Sequence, residues 1–311
     1  MHGQRSDDRC RRLPTPRARS SWARPRCQGP PAARSGARVV RSGGRRRPRW
    51  GQNFLVDQSV AGAIVDWAAV DGRDVIEIGP GRGALTELLA ERAGRLVLVE
   101  IDPQLCEALT ERFRDERRVK VVCGDAREID LCALVEPRAV VVANLPYESG
   151  TAIVMRLLEH YRLFSHLVVM LQREVCERMA APPGSPARSA LSVHVELVAD
   201  VELGRRVPPG CFRPAPKVES RIAKIRLLER PRAPIGRREV FDEVVRQAFS
   251  GRRKMVRNTL GRYLAARCGV EQAAALLESA GIDPRQRPAT IPLRGFAALS
   301  RALSRLEDAG A

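Results

Sequence analysis

Apolar residues along the chain switch between two periods from residue 58 onward. Stretches spaced for one helix face run from Ser59 to Val70, Ala84 to Arg92, Pro103 to Phe113 and Thr151 to His160. Between them stand short β-branched runs at Asp74 to Ile78, Leu96 to Glu100, Val119 to Cys123, Ala139 to Ala143 and Leu167 to Leu171. That alternation predicts an α/β domain, a parallel sheet joined by crossover helices. Two further runs, Ser192 to Val198 and Val218 to Leu227, lack an equally clear helix between them. They predict an antiparallel pair at one sheet edge, giving a mainly parallel sheet of seven strands, with Pro208 to Pro216 as a loop rich in Pro and Gly. Pro231-Arg232-Ala233-Pro234 then breaks the pattern. Everything beyond reads as helices, at Arg237 to Ser250, Arg253 to Cys268, Glu271 to Ala280 and Leu293 to Leu306. A boundary near residue 232 therefore separates a domain of residues 49–232 from a small all-α C-terminal domain of residues 233–311.

Composition changes this picture at the N-terminus. The chain has 311 residues, 44% hydrophobic and 29% charged, with a net charge of +18. Most of that charge lies in residues 1–49, which hold 15 Arg against Asp7 and Asp8. Arg mixed with Pro, Gly and Ser cannot bury enough apolar surface to offset chain entropy, so residues 1–48 read as a disordered basic tail. A phosphate-binding arm, an organelle transit peptide and an over-long gene start compete to explain it. The last is favoured, because no apolar helix moment is visible and Asp7 and Asp8 count against transit. Eight cysteines contain no C-x-x-C pair and four histidines are scattered, so no metal site and no disulfide framework is expected, only buried free thiols in a reducing cytoplasm. No apolar run is long enough to span a membrane.

Three motifs carry the chemistry. Asn144-Leu145-Pro146-Tyr147 follows the run Ala139 to Ala143 and puts an amide, a rigid turn and an aromatic ring at the C-terminal end of a strand, where open α/β sheets hold ligands. Such a group suits a planar base with an exocyclic amine: Asn144 and the Leu145 and Pro146 carbonyls accept its N–H bonds and Tyr147 stacks on its ring. An Asx-Pro turn with a packed Tyr is the plainer alternative. Gly79-Pro80-Gly81-Arg82-Gly83-Ala84 follows the first strand and opens a helix, and Glu100 ends the second strand, the arrangement for a nucleotide-type ligand with a carboxylate on its ribose. The same spacing satisfies the dinucleotide pattern G-x-G-x-x-A, so NAD stays open at this point. Asp125, after Gly124 at the end of the third strand, supplies an acceptor suited to an adenine amino group, although an Asp there often only forms a turn.

Taken together, Gly51-Gln52-Asn53-Phe54-Leu55, Glu77-Ile78-Gly79-Pro80-Gly81, Asn144-Leu145-Pro146-Tyr147, Leu171-Gln172-Arg173-Glu174 and Phe212-Arg213-Pro214-Ala215-Pro216-Lys217-Val218 resemble, in order, the motifs of the ribosomal RNA adenine dimethyltransferase family. The resemblance covers about residues 47–306. It implies a Rossmann-like methyltransferase fold, S-adenosyl-L-methionine as methyl donor and methylation of adenine N6. Asn53 and Leu55 resemble the motif that covers the cofactor, and Gly79 with Gly81 the loop beside its methionine part. Glu100 resembles the ribose ligand, Asp125 the adenine ligand, and Asn144 the residue touching both cofactor and target amine. Tyr147 and Phe212 resemble the rings that sandwich the extruded base. The chain departs from the family after Tyr147, where Glu148-Ser149-Gly150-Thr151-Ala152 replaces a run with a hydrophobic residue and a Pro, and at Arg213, where an aromatic is frequent.

Ser250-Gly251-Arg252-Arg253-Lys254 with Arg257 predicts a basic helix start, which the resemblance turns toward RNA phosphates, with Lys217 and Arg221 extending the surface. The expected reaction is dimethylation of two adjacent adenines near the 3′ end of 16S rRNA during assembly of the small ribosomal subunit, by a monomer. A large-subunit methylase of the erythromycin-resistance type, a non-catalytic RNA-binding assembly or transcription factor of the same family, and an NAD-dependent oxidoreductase are the other readings.

Overall fold

The computed structural model describes residues 52–251 and 253–310. The basic tail, with Cys10 and Cys27, and Arg252 of the basic run lie outside the described residues. The chain runs β1 (Phe54–Leu55), α1 (Gln58–Ala68), β2 (Asp74–Ile78), α2 (Thr86–Arg92), β3 (Arg95–Glu100), α3 (Pro103–Arg112), β4 (Val119–Cys123) and β5 (Ala139–Asn144). There follow α4 (Gly150–Glu159), β6 (Phe164–Gln172), α5 (Arg173–Met179), α6 (Ala190–Val198), β7 (Ala199–Val207), β8 (Phe212–Arg213) and β9 (Ser220–Leu227). Four helices close the chain: α7 (Arg238–Ala248), α8 (Leu260–Cys268), α9 (Val270–Ser279) and α10 (Leu293–Gly310).

Seven strands form one sheet in the order β4-β3-β2-β5-β6-β9-β7, and β1 pairs with β8 in a separate ribbon. Strands β4 to β6 are parallel, whereas β9 is antiparallel to both β6 and β7. The expected mainly parallel, seven-stranded α/β sheet is what the chain forms. Alternate side chains of each strand enter opposite layers, as the two-residue period of a strand requires. Val75, Leu98, Val140, Val142 and Val168 face α1 and α2, while Ile76, Val97, Val141, Ala143 and Val169 share a core with α4 to α10. The described residues make one compact unit.

Four expectations need correction. Ser192 to Val198 is helical, within α6, and the edge strand is β7 instead. Seven of the nine residues of α6 are buried, so its apolar run shows no exposed polar face from which a helical period could be read. Its start is fixed locally, by Ser192 Oγ accepting from the Ser189 amide at 2.9 Å. The Pro208 to Pro216 loop contains β8, because Phe212 and Arg213 find partners in Leu55 and Phe54. The basic run is not a helix start: Arg253 is in a turn, Lys254 in a bend and Met255 in no regular element, Val256–Asn258 is a 3-10 turn and α8 begins at Leu260. The amides of Val256 and Arg257 donate instead to the Gln286 and Pro284 carbonyls, both at 2.9 Å, so they are not available to a helix. Finally, Cys106 and Cys123 are disulfide-bonded across 5.8 Å between Cα atoms, where buried free thiols were expected. Packing of α3 back against β4 brings them within bridging distance, which their separation of 17 residues does not announce. Of the remaining described cysteines, Cys176 and Cys211 are buried thiols, Cys268 is partly covered and Cys132 is exposed.

Candidate active site

The C-terminal ends of β2, β3 and β5, with the loops that follow them and the one after β4, surround a cavity of about 430 Å³. Among its walls are Asn53, Leu55, Gly79, Gly81, Glu100, Asp125, Asn144, Pro146, Tyr147 and Phe212, every residue the sequence assigned to cofactor or target base. Brought together by a parallel sheet, they occupy the edge at which such sheets bind ligands.

The glycine loop is shaped by backbone conformation. Gly79 and Gly81 have φ of 71° and 57°, a region open to glycine at little cost. A Cβ on Gly81 would also stand 3.1 Å from the Phe54 ring. Glu100 locks this loop: one carboxylate oxygen accepts from the Gly81 amide at 3.0 Å, the other from the Ile101 and Asp102 amides at 2.9 and 3.0 Å. Carboxylate oxygens hold about four acceptor positions, so Glu100, buried and fixed by three amides, keeps about one for a ligand hydroxyl.

Asp125 is held differently. The Arg127 guanidinium and amide both bond to it, at 2.5 to 3.1 Å, and that hydrogen bonding holds its carboxyl below the usual carboxylate range. Asn144 donates from its amide nitrogen to the Asn53 carbonyl at 3.3 Å, which turns the amide oxygen into the acceptor left for a ligand. The Pro146 carbonyl already accepts from the Gly150 amide at 2.7 Å and has one lone pair to spare. Tyr147 is half-buried and its hydroxyl lies 2.6 Å from Ser220 Oγ; desolvation pushes the phenol up. Phe212 is buried, and its pairing with Leu55 through the β1–β8 ribbon ties the base wall to the segment Gln52 to Leu55.

Several wall residues were given no role from sequence. Arg82 places its guanidinium 4.6 Å from the centroid of the Phe54 ring, a contact that closes the cavity beside the glycine loop. Glu148 brings an exposed carboxylate next to Tyr147. Glu77, two residues before Gly79, is fully buried with one carboxylate oxygen lacking any protein partner. Burial pushes its carboxyl up to about 8. The signal for Glu77 was an acid inside an apolar strand, which is seldom placed there without a use.

The basic residues lie outside the cavity wall. Lys217, Arg253, Lys254 and Arg257 are exposed and form no ion pair among the described residues. Arg221 is drawn inward: it donates to the Gly204 carbonyl at 3.0 Å and approaches Glu177 at 3.6 Å. No group of three or more His, Cys, Asp or Glu among the described residues could hold a metal ion, and no described helix is long and apolar enough to cross a membrane.

Sheet order, glycine loop, acidic strand ends and the Asn144 to Tyr147 turn define a Rossmann-like methyltransferase. The family model for ribosomal RNA adenine dimethylase matches residues 43–292, and the chain belongs to that family. It is 44% identical over 267 residues to a ribosomal RNA small subunit methyltransferase A of Geobacter metallireducens, covering 84% of this chain and 97% of that protein. A protein of the same name from Syntrophotalea carbinolica is 41% identical over 259 residues, covering 83% and 96%. Among solved structures, a dimethyladenosine transferase from Plasmodium falciparum shares the fold, with a TM-score of 0.67, 24% identity and coverage of 83% of this chain and 98% of that one. The 23S rRNA methyltransferase ErmE aligns with a TM-score of 0.57 at 25% identity, over 81% and 99%.

Proposed function

We propose that this enzyme transfers methyl groups from S-adenosyl-L-methionine to N6 of two adjacent adenines near the 3′ end of 16S rRNA, in the assembling small ribosomal subunit. The observation that carries the reading is the Asn144 amide, anchored through its nitrogen to Asn53 and presenting its oxygen beside the glycine loop and Tyr147. Identity above 40% to proteins named for the small subunit favours that substrate over the large-subunit one of ErmE.

The residues present fit this donor. Glu100 accepts from a ribose hydroxyl, Asp125 from the adenine amino group, and Gly79 and Gly81 leave room for the methionine part, with Asn53 and Leu55 as cover. Glu77 offers an orphaned buried acceptor on the same wall, where a cationic donor would relieve its isolation. When bound, the donor would supply a methyl group on a sulfonium sulfur that departs with the bonding pair as a neutral thioether.

The protein then has two tasks. The first is to strip conjugation from N6: its lone pair is shared with the ring, and hydrogen bonds from N6–H to Asn144 Oδ1 and the free lone pair of the Pro146 carbonyl favour a pyramidal, nucleophilic nitrogen. The second is alignment, with Tyr147 and Phe212 gripping the extruded base so that N6 points at the methyl group. No strong base is required, because the proton leaves after transfer, when N6 is cationic. Dimethylation repeats the cycle on the monomethylated amine.

RNA is held by phosphate contacts from Lys217, Arg253, Lys254 and Arg257 and the adjoining Arg252, with the helical segment 233–311 as the registering element and residues 49–232 as the catalytic one. Arg221, engaged with Gly204 and Glu177, supports this surface from beneath. The protein acts as a cytoplasmic monomer. Incubating it with S-adenosyl-L-methionine and unmethylated small subunits, then analysing rRNA nucleosides by mass spectrometry, should give N6,N6-dimethyladenosine. Asn144→Ala should give far less over the same interval, and product on large subunits offered in a parallel incubation, with none on small subunits, would overturn the substrate assignment.

A further inference from the structure

One of the five motifs, Leu171 to Glu174, contributes nothing to the cavity wall, and neither does Ser220, two residues past the end of the motif that begins at Phe212. They meet each other across the antiparallel pair β6–β9, where Gln172 stands opposite Ser220 and Leu171 opposite Arg221. Ser220 also faces Val207 on β7, so it is held from both sides at the end of the sheet, with no solvent exposure. Its neighbours in the chain are clamped as well. The Arg173 amide donates to the Glu219 carbonyl and its guanidinium to the Glu219 carboxylate, both at 2.9 Å, while Arg221 is tied to Gly204 and Glu177.

Against this fixed point stands the hydroxyl of Tyr147, 2.6 Å from Ser220 Oγ. Tyr147 belongs to the loop between β5 and α4, and a ring on such a loop keeps freedom about its side-chain torsions unless its tip is held. We propose that Ser220 is a positioning residue for the methyl-transfer reaction: it fixes the ring of Tyr147 as one wall of the base pocket, and the Arg173–Glu219 pair fixes Ser220. This rests on the reading of Tyr147 as a base-stacking residue. It assigns to the Leu171 to Glu174 motif a task that contact with donor or acceptor does not explain. Ser220 acts on the acceptor side alone, since Glu100 and Asp125 sit at the end of β3 and just after β4, across β2, β5 and β6 from it.

The test uses full-length protein and unmethylated small subunits. Ser220→Ala should lower kcat/KM for the subunit by roughly five- to tenfold, the scale of one neutral hydrogen bond, while calorimetric affinity for S-adenosyl-L-methionine stays at the wild-type value. Tyr147→Phe keeps the ring and loses the same bond, so it should give the same drop, and Ser220→Ala/Tyr147→Phe should fall no further than either single variant. Ser220→Thr should restore activity. Additive losses in the double variant, donor affinity falling together with kcat/KM, or wild-type kinetics in Tyr147→Phe would each overturn the proposal. Tyr147→Ala separates the two levels: if it is as active as wild type, base stacking by Tyr147 itself is wrong. If it is inactive while Ser220→Ala and Tyr147→Phe are unimpaired, stacking stands and only the role of Ser220 is lost.

Discussion

The cavity end of the sheet and the helical segment after residue 232 are built on opposite principles. At the cavity, polar groups are fixed by backbone groups: the Glu100 carboxylate by three amides, the Asn144 amide by the Asn53 carbonyl, the Pro146 carbonyl by the Gly150 amide. In α7 to α10, order comes from apolar burial, with Phe241, Phe296, Val244, Leu299 and Leu303 enclosed against the sheet layer and one another. The first region tolerates no change of chemistry, and the second no change of volume. Preorganised polar groups serve a reaction, whereas close packing serves stability.

The largest effect expected on that comparison is in the helical segment. Phe241→Ala should cost about 3–5 kcal/mol of stability in denaturant titration, with near-normal turnover per folded molecule at low temperature. A comparable loss of turnover per folded molecule would show that the two regions are not separable in this way. At the cavity, Asn144→Ala should reverse the pattern, losing about 10²- to 10³-fold in kcat with little change in the denaturation midpoint.

Acid and alkali should strain the two regions separately. Burial raises Glu77 from 4.5 to about 8, so the folded protein holds this proton more tightly than the unfolded chain. The corresponding stability is complete below pH 4.5 and is lost as pH rises through about 8. His194, beneath α7, is edge-on to Phe241 and is pulled down from 6.5 to about 4 by desolvation, with Arg238 adding to it. At neutral pH it is therefore uncharged, and its 3.4 Å approach to Asp242 is not an ion pair. Its share of stability is present above pH 6.5 and is lost as pH falls toward 4. Melting curves should show Glu77→Gln gaining on wild type as pH rises from 4.5 to about 8, and His194→Gln gaining as pH falls from 6.5 toward 4. Parallel profiles would contradict both burial arguments. The smallest effect should come from the surface: Arg253→Ala and Lys254→Ala should each weaken RNA binding across sequences and flatten its salt dependence by about one unit of log–log slope.

How much of this was legible in the sequence follows the same division. The cavity could be read almost residue by residue, since glycines with positive φ, an acid at a strand end and an amide before a Pro are each dictated by local chemistry at fixed spacing. The parallel strands were equally plain from their β-branched runs. The helix α6 was not, because a segment enclosed on every side has no polar face to betray its period. Nor was the stretch Arg253 to Met255, whose conformation is set by the distant carbonyls of Pro284 and Gln286. Likewise the Arg127 fork on Asp125 and the bond from Ser220 to Tyr147 join residues by geometry that spacing does not encode.

A crystal soaked with S-adenosylhomocysteine tests the central claim most directly. The account predicts a ribose hydroxyl on Glu100, the adenine amino group at Asp125, and the sulfur beside Asn144, with Oδ1 of that amide turned toward the space in front of Tyr147. Density for the ligand elsewhere, or an Asn144 amide oxygen directed away from that space, would contradict it.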